Sequence, residues 1–149
     1  MKKLICGITL LLTLCFASCS TNHKIIISTP DAPAAIGPYS QGVIENGILY
    51  CSGQIALDPT SGLLVGSNVK EQTTQIFKNI SAILTAGKSS FDNVIKTTVY
   101  LTDINSFNDM NEVYASYFKE GKYPSRSAVE VSSLPKGALV EIEVTAYTY

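Results

Sequence analysis

"ALVEIEVTAYTY" (residues 138–149) alternates with a period of two. Val140, Ile142, Val144 and Ala146 fall on one side of an extended chain, and Leu139, Glu141, Glu143 and Thr145 on the other. That pattern marks a strand with one face in a core and the other face outside it. "VIKTTVYL" (94–101) has the same character: Ile95, Thr97, Val99 and Leu101 share one face, Lys96, Thr98 and Tyr100 the other. A further strand is expected from about Ala128 to Val131. Upstream, "KIIIS" (24–28) is a short β-branched run. In "GVIENGILYCSGQIAL" (42–57), Asn46-Gly47 lies between two apolar stretches, which is a hairpin signal.

Between these strands the period changes. Asn68 and Glu71 form a capping box, after which Val69, Ile76, Phe77, Ile80, Ile83 and Leu84 recur at helical spacing up to Gly87, read as the C′ residue. Ser106 caps a second helix, with a stripe of Phe107, Met110, Val113, Tyr114, Tyr117 and Phe118 and a stop at Gly121. "TPDAPAAIGPY" (29–39) holds three prolines and is irregular. The order is strand, hairpin, helix, strand, helix, strand, strand. It predicts an α/β (α+β) fold: a single mixed β-sheet with two helices on one face. The other face would carry Glu141 and Glu143 beside Leu139, Tyr100 and Thr98. Such mixed polarity suits contact with another subunit.

The bulk numbers allow one domain. The chain has 149 residues, 46% hydrophobic and 15% charged, with a formal net charge of −1. There is no basic patch, Walker loop, dinucleotide fingerprint or CxxC pair, so nucleic-acid binding is not expected.

The N-terminus is a different kind of sequence. Residues 1–18 begin with two lysines and continue with an apolar run from Leu4 to about Phe16, which reads as a signal peptide. "FASC" (16–19) resembles a bacterial lipobox, with Phe16 where Leu is usual. The expected product is an exported lipoprotein. It would be anchored to a membrane through lipid on Cys19, with residues 19–24 as the lipidated tether and 25–149 as the folded domain. Processing would remove Cys6 and Cys15, leaving Cys51 as the free thiol and no disulfide framework. His23, the only histidine, falls in the tether, so the body has no histidine for a triad or a metal site.

Arg126 is the only arginine; every other basic side chain except His23 is lysine. A guanidinium offers a planar fork that grips a small carboxylate at two oxygens. The alternative is a structural ion pair, for example to Glu130.

Four segments carry a resemblance: "APAAIGPYSQG" (32–42), "CSGQIALDPTSG" (51–62), "VIKTTVYLTDINSFNDMNEVYASYF" (94–118) and "YPSRSAVEVSSLPKGALVEIEVTAY" (123–147). Together they resemble the Rid/YjgF family of imine and enamine deaminases. The resemblance implies a chorismate-mutase-like fold, a homotrimer, and sites in clefts between trimer subunits. By the same resemblance Arg126 binds the substrate carboxylate and Glu141 positions the attacking water. Tyr39, Ser52 and Asn111 line the pocket. Many members carry Cys two residues after the arginine; this chain has Ala128. The implied reaction is hydrolysis of reactive 2-imino or enamine acids to 2-keto acids and ammonia, with no metal and no organic cofactor. The alternative is a non-catalytic trimeric module that binds small carboxylates at the membrane surface. An older label for relatives, endoribonuclease, sits badly with an acidic body that lacks histidine.

Overall fold

The computed structural model describes residues 24–149. Residues 1–23, which include the expected signal peptide, Cys19 and His23, lie outside the described residues. Six strands form one sheet: β1 (Ile25–Ile27), β2 (Gly42–Glu45), β3 (Ile48–Gln54), β4 (Val94–Leu101), β5 (Ser125–Glu130) and β6 (Val140–Tyr147). Two helices, α1 (Val69–Ala86) and α2 (Phe107–Ala115), are inserted before and after β4. The strand order is β1-β2-β3-β6-β4-β5, antiparallel except for the β4–β5 pair. This is the mixed sheet with two helices that the sequence predicts.

The alternation of β6 survives intact. Val140, Ile142, Val144 and Ala146 are buried against the helices, and the residues between them are half-exposed. Asn46 and Gly47 adopt φ of 52° and 75°, the left-handed pair that a two-residue turn between twisted strands requires. From α1, Ile76, Phe77, Ile80 and Ile83 are fully buried. Phe77 stacks on Tyr117 at 4.4 Å and meets Tyr114 edge-on at 5.6 Å, which joins the two helical segments.

Several local expectations need correction. Asn68 does accept the Glu71 N–H, but the Glu71 carboxylate takes the N–H of Ser67 rather than that of Asn68, so the box is shifted by one residue. The left-handed residue closing α1 is Lys88 (φ 55°), not Gly87, which has φ −82°. Ser89 N–H reaches Leu84 O and Lys88 N–H reaches Thr85 O, the double closure of a Schellman motif. Gly87 is required for another reason: a Cβ there would lie 2.6 Å from Leu49 Cδ2. The second helix ends at Ala115 because Ser116, Tyr117 and Phe118 bond three residues back, tightening the last turn well before Gly121. Ser106 makes no side-chain cap; Asp103 accepts the Asn105 N–H one turn earlier.

Two bulges redirect side chains. Val94 pairs with Ala146 and Lys96 with Thr145, so Ile95 is an extra residue; expected on the covered face, it is 37% exposed. In β3, Cys51 pairs with Val144 and Gln54 with Ile142, which leaves one residue too many at Ser52-Gly53. Finally, β5 starts at Ser125, three residues before the expected Ala128, and includes Arg126.

Candidate functional site

The ladder fixes where each candidate side chain stands. Arg126 pairs with Thr97, and Thr97 with Val144, so these three share the face that the helices cover. Glu141 pairs with Tyr100, and Tyr100 with Val129, on the open face. The two residues expected to act together therefore project from opposite faces of the sheet of one chain.

Each belongs to its own cleft. Arg126 and Asn111 line a cleft of about 470 Å³ together with Tyr114, Tyr123 and Pro124. Glu141, Tyr39 and Ser52 line another of about 460 Å³, with Gly53, Glu143 and Ile36. The structure thus brings together Tyr39, Ser52 and Glu141 in one group and Arg126 with Asn111 in the other.

In the first cleft, Arg126 on the sheet edge has a guanidinium over the rings of Tyr114 (4.3 Å) and Phe107 (5.3 Å). The ion pairs among the described residues use Lys70 and Lys119, and none uses Arg126. Glu130 is engaged elsewhere, accepting the Ile104 N–H at 2.8 Å. Among the described residues, then, no carboxylate of the same chain pairs with Arg126. What the structure shows is a guanidinium lying over two ring faces at the edge of an open cleft.

In the second cleft, the Glu141 carboxylate rests over Gly53. A Cβ at Gly53 would overlap Glu141 Oε1 and lie 2.9 Å from Cδ. The φ of Gly53 is not in the left-handed region, so a side chain here would meet the Glu141 carboxylate and not backbone strain, and the carboxylate keeps this place only over a glycine. The β3 bulge supplies this shelf. Burial pushes the Glu141 carboxyl above the ordinary glutamate range, and the charge of Glu143 adds to the shift. Ser52 is tied to the proline-rich loop: its Oγ donates to Ser40 O at 2.6 Å and its N–H to Gln41 O. The Tyr39 hydroxyl accepts the Ile36 N–H at 3.2 Å.

Sequence reasoning missed three contributors. Gln41, 5% exposed, clamps the loop that carries Tyr39. Its amide accepts Thr29 N–H and donates to Thr29 O, Ala32 O and Pro33 O. Gly53 had a legible signal, a glycine inside a strand pattern, which marks a bulge or a close approach. Glu143 stands on the same open face as Glu141, and its charge acts on that carboxyl. Cys51 is buried and its thiol is pushed up to about 12 by desolvation, so it is not a nucleophile.

A single mixed sheet under two helices, with an arginine in a cleft on one face and a raised carboxyl in a cleft on the other, defines a small α/β protein with two candidate half-sites. The comparisons with known proteins give its family. The family model described as Endoribonuclease L-PSP matches residues 29–148. The chain belongs to this Rid/YjgF (L-PSP) family. It is 52% identical over 121 residues to the human 2-iminobutanoate/2-iminopropanoate deaminase, covering 81% of this chain and 88% of that protein. Among solved structures it is similar to YyfA of the Rid family from Yersinia pestis, with a TM-score of 0.82 and 52% identity over 85% of this chain and all (100%) of the other. It is also similar to E. coli TdcF with bound serine, with a TM-score of 0.79 and 42% identity over 85% and 100% of the two chains.

Proposed function

We propose that the protein hydrolyses 2-imino acids, and the enamines in equilibrium with them, in clefts between subunits of a homotrimer. One subunit supplies Arg126 and Asn111, and its neighbour supplies Glu141, Tyr39 and Ser52. The observation that carries this reading is that Arg126 and Glu141 stand on opposite faces of the same sheet, each in an open half-cleft. The identity to curated deaminases over most of the chain supports the reaction class.

The chemistry suits so sparse a site. A 2-imino acid is electrophilic at its C=N carbon. Arg126 would bind the carboxylate through two N–H donors and so fix that carbon. Glu141, as the carboxylate, would accept a proton from water as the water oxygen bonds to carbon and the C=N π pair moves to nitrogen. Glu141 would then return the proton to nitrogen. Glu141 would next pass the carbinolamine's hydroxyl proton to the amine nitrogen, so that the C–N bond breaks as C=O forms and ammonia leaves. A carboxyl raised above its ordinary range is a stronger base when ionised and holds the proton long enough to return it. Ala128, half-buried in β5, leaves no thiol beside Arg126.

The direct test generates imines in situ with an amino-acid oxidase and follows 2-keto acid release with and without the protein. Accelerated release supports the reading. Tight binding of 2-keto acids without acceleration would favour the non-catalytic carboxylate-binding module instead.

On the sequence of residues 1–24 we further propose export and attachment to a membrane through lipid on Cys19. Cys19→Ser should leave the protein soluble or unprocessed. Wild-type protein in the soluble fraction, with no lipid mass on its N-terminus, would contradict this.

A further inference from the structure

Among the described residues Arg126 is met by two rings and by no counter-ion. Tyr114 and Phe107 both come from α2, two turns apart and so on one face of the helix. Tyr114 is 3% exposed, and its hydroxyl shares a 2.9 Å hydrogen bond with Thr97 Oγ1. Thr97 is itself the cross-strand neighbour of Arg126. The strand therefore places the arginine, its neighbour pins the edge of the ring, and the face of the ring supports the guanidinium. Behind it, Tyr114 is braced edge-on by Phe77 in the centre of the core. An arginine on an edge strand with no such support would move through many rotamers, and each bound carboxylate would have to stop that motion.

We propose that Tyr114 and Phe107 are positioning residues for carboxylate recognition, holding the Arg126 guanidinium over their ring faces so that it is presented, already ordered, to the cleft. This rests on the reading of Arg126 as the carboxylate clamp and adds what makes that clamp rigid. A ring face leaves the guanidinium's charge unneutralised, whereas an ion pair would cancel it. It also ties ligand affinity to the core: Tyr114 couples the edge strand to Phe77 and α1.

The single arginine gives a test independent of activity. In the ¹⁵N-labelled full chain only one Nε–H resonance can arise. It should be displaced by the ring currents of Tyr114 and Phe107 and be well ordered. Tyr114→Leu should move it toward the position of a free arginine and lower its order. The same variant should raise the KM for the imine and the Kd for 2-ketobutyrate by roughly two- to thirty-fold, with kcat little changed. Tyr114→Phe keeps the ring and its Phe77 brace but loses the Thr97 hydrogen bond, so its resonance and KM should stay much closer to wild type than those of Tyr114→Leu. Phe107→Leu, on a less buried ring, should act in the same direction as Tyr114→Leu and serves if that variant does not fold. Phe118→Leu removes a ring 4.8 Å from Tyr114 that is not over Arg126, and should lower stability alone. A wild-type Nε resonance at the free-arginine position would overturn the proposal. So would folded Tyr114→Leu and Phe107→Leu proteins with resonance and KM unchanged. If wild-type protein neither hydrolyses imines nor binds 2-ketobutyrate, the carboxylate reading fails, and the Nε resonance still decides whether the rings hold the guanidinium.

Discussion

Arg126→Lys keeps the positive charge and removes the fork. In the folded chain Arg126 takes part in none of the ion pairs among the described residues, and Glu130 is bound to Ile104 N–H. A lysine stem can still pack on Tyr114 and Phe107. The variant should therefore lose little stability, within about 0.5 kcal/mol. Its loss falls on the ligand. One charge-assisted hydrogen bond to the carboxylate disappears and the other loses its fixed direction, a deficit of about 1.5–3 kcal/mol. That is roughly a ten- to hundred-fold fall in kcat/KM. The assay is keto-acid release from oxidase-generated imines, run beside thermal melting of the same samples. Full activity in Arg126→Lys would refute the clamp. A fall in melting temperature that parallels the fall in activity would mean that the arginine is structural.

Other substitutions probe the second half-cleft and its support. Gly53→Ala should retain the fold and lose kcat by roughly tenfold or more, because the new Cβ displaces the Glu141 carboxylate from its shelf; melting and turnover together check this. Glu141→Gln should lose turnover yet melt higher than wild type near neutral pH. The raised carboxyl binds its proton more tightly in the folded state, so wild-type stability falls as pH rises from the ordinary glutamate value through the raised one. Below that window, at about pH 4, the two proteins should melt alike, which a melting series against pH will show. Gln41→Ala leaves the Thr29 N–H and the Ala32 and Pro33 carbonyls without their partner. It should cost about 2–4 kcal/mol in urea unfolding and expose the 29–39 loop to proteases.

Much of the fold was legible because its strongest signals are local. The alternation of Val140 to Ala146 against Glu141 to Thr145 identifies β6, and Asn46-Gly47 identifies the hairpin. The helix stripe from Val69 to Leu84 gives α1. What escaped depends on partners distant in sequence. Ile95 fits a perfect alternation, and only the register against Ala146 and Thr145 shows it to be bulged. Gly87 reads as a helix terminator, yet it is glycine because Leu49, far away in the chain, packs on it. The early start of β5 is set by pairing of Lys96 with Ser125, since Ser125 and Arg126 have no strand pattern of their own. The site shows the same division. Chemistry and resemblance select Arg126 and Glu141, but their placement on opposite faces follows from three strands in register. Neither the spacing of the two residues nor their types records it.

That placement makes the central claim testable by mixing two inactive proteins. Arg126→Ala lacks the clamp and Glu141→Gln lacks the base, and neither variant should turn over imines. When they are unfolded together and refolded at equal amounts, clefts form in which an intact Arg126 from one chain meets an intact Glu141 from the other. Random assembly should place such a pair in about a quarter of the clefts and restore about a quarter of wild-type activity. Mixed oligomers that stay inactive, from variants that each fold and assemble like wild type, would mean that the two residues serve one site within a single chain and would contradict the account.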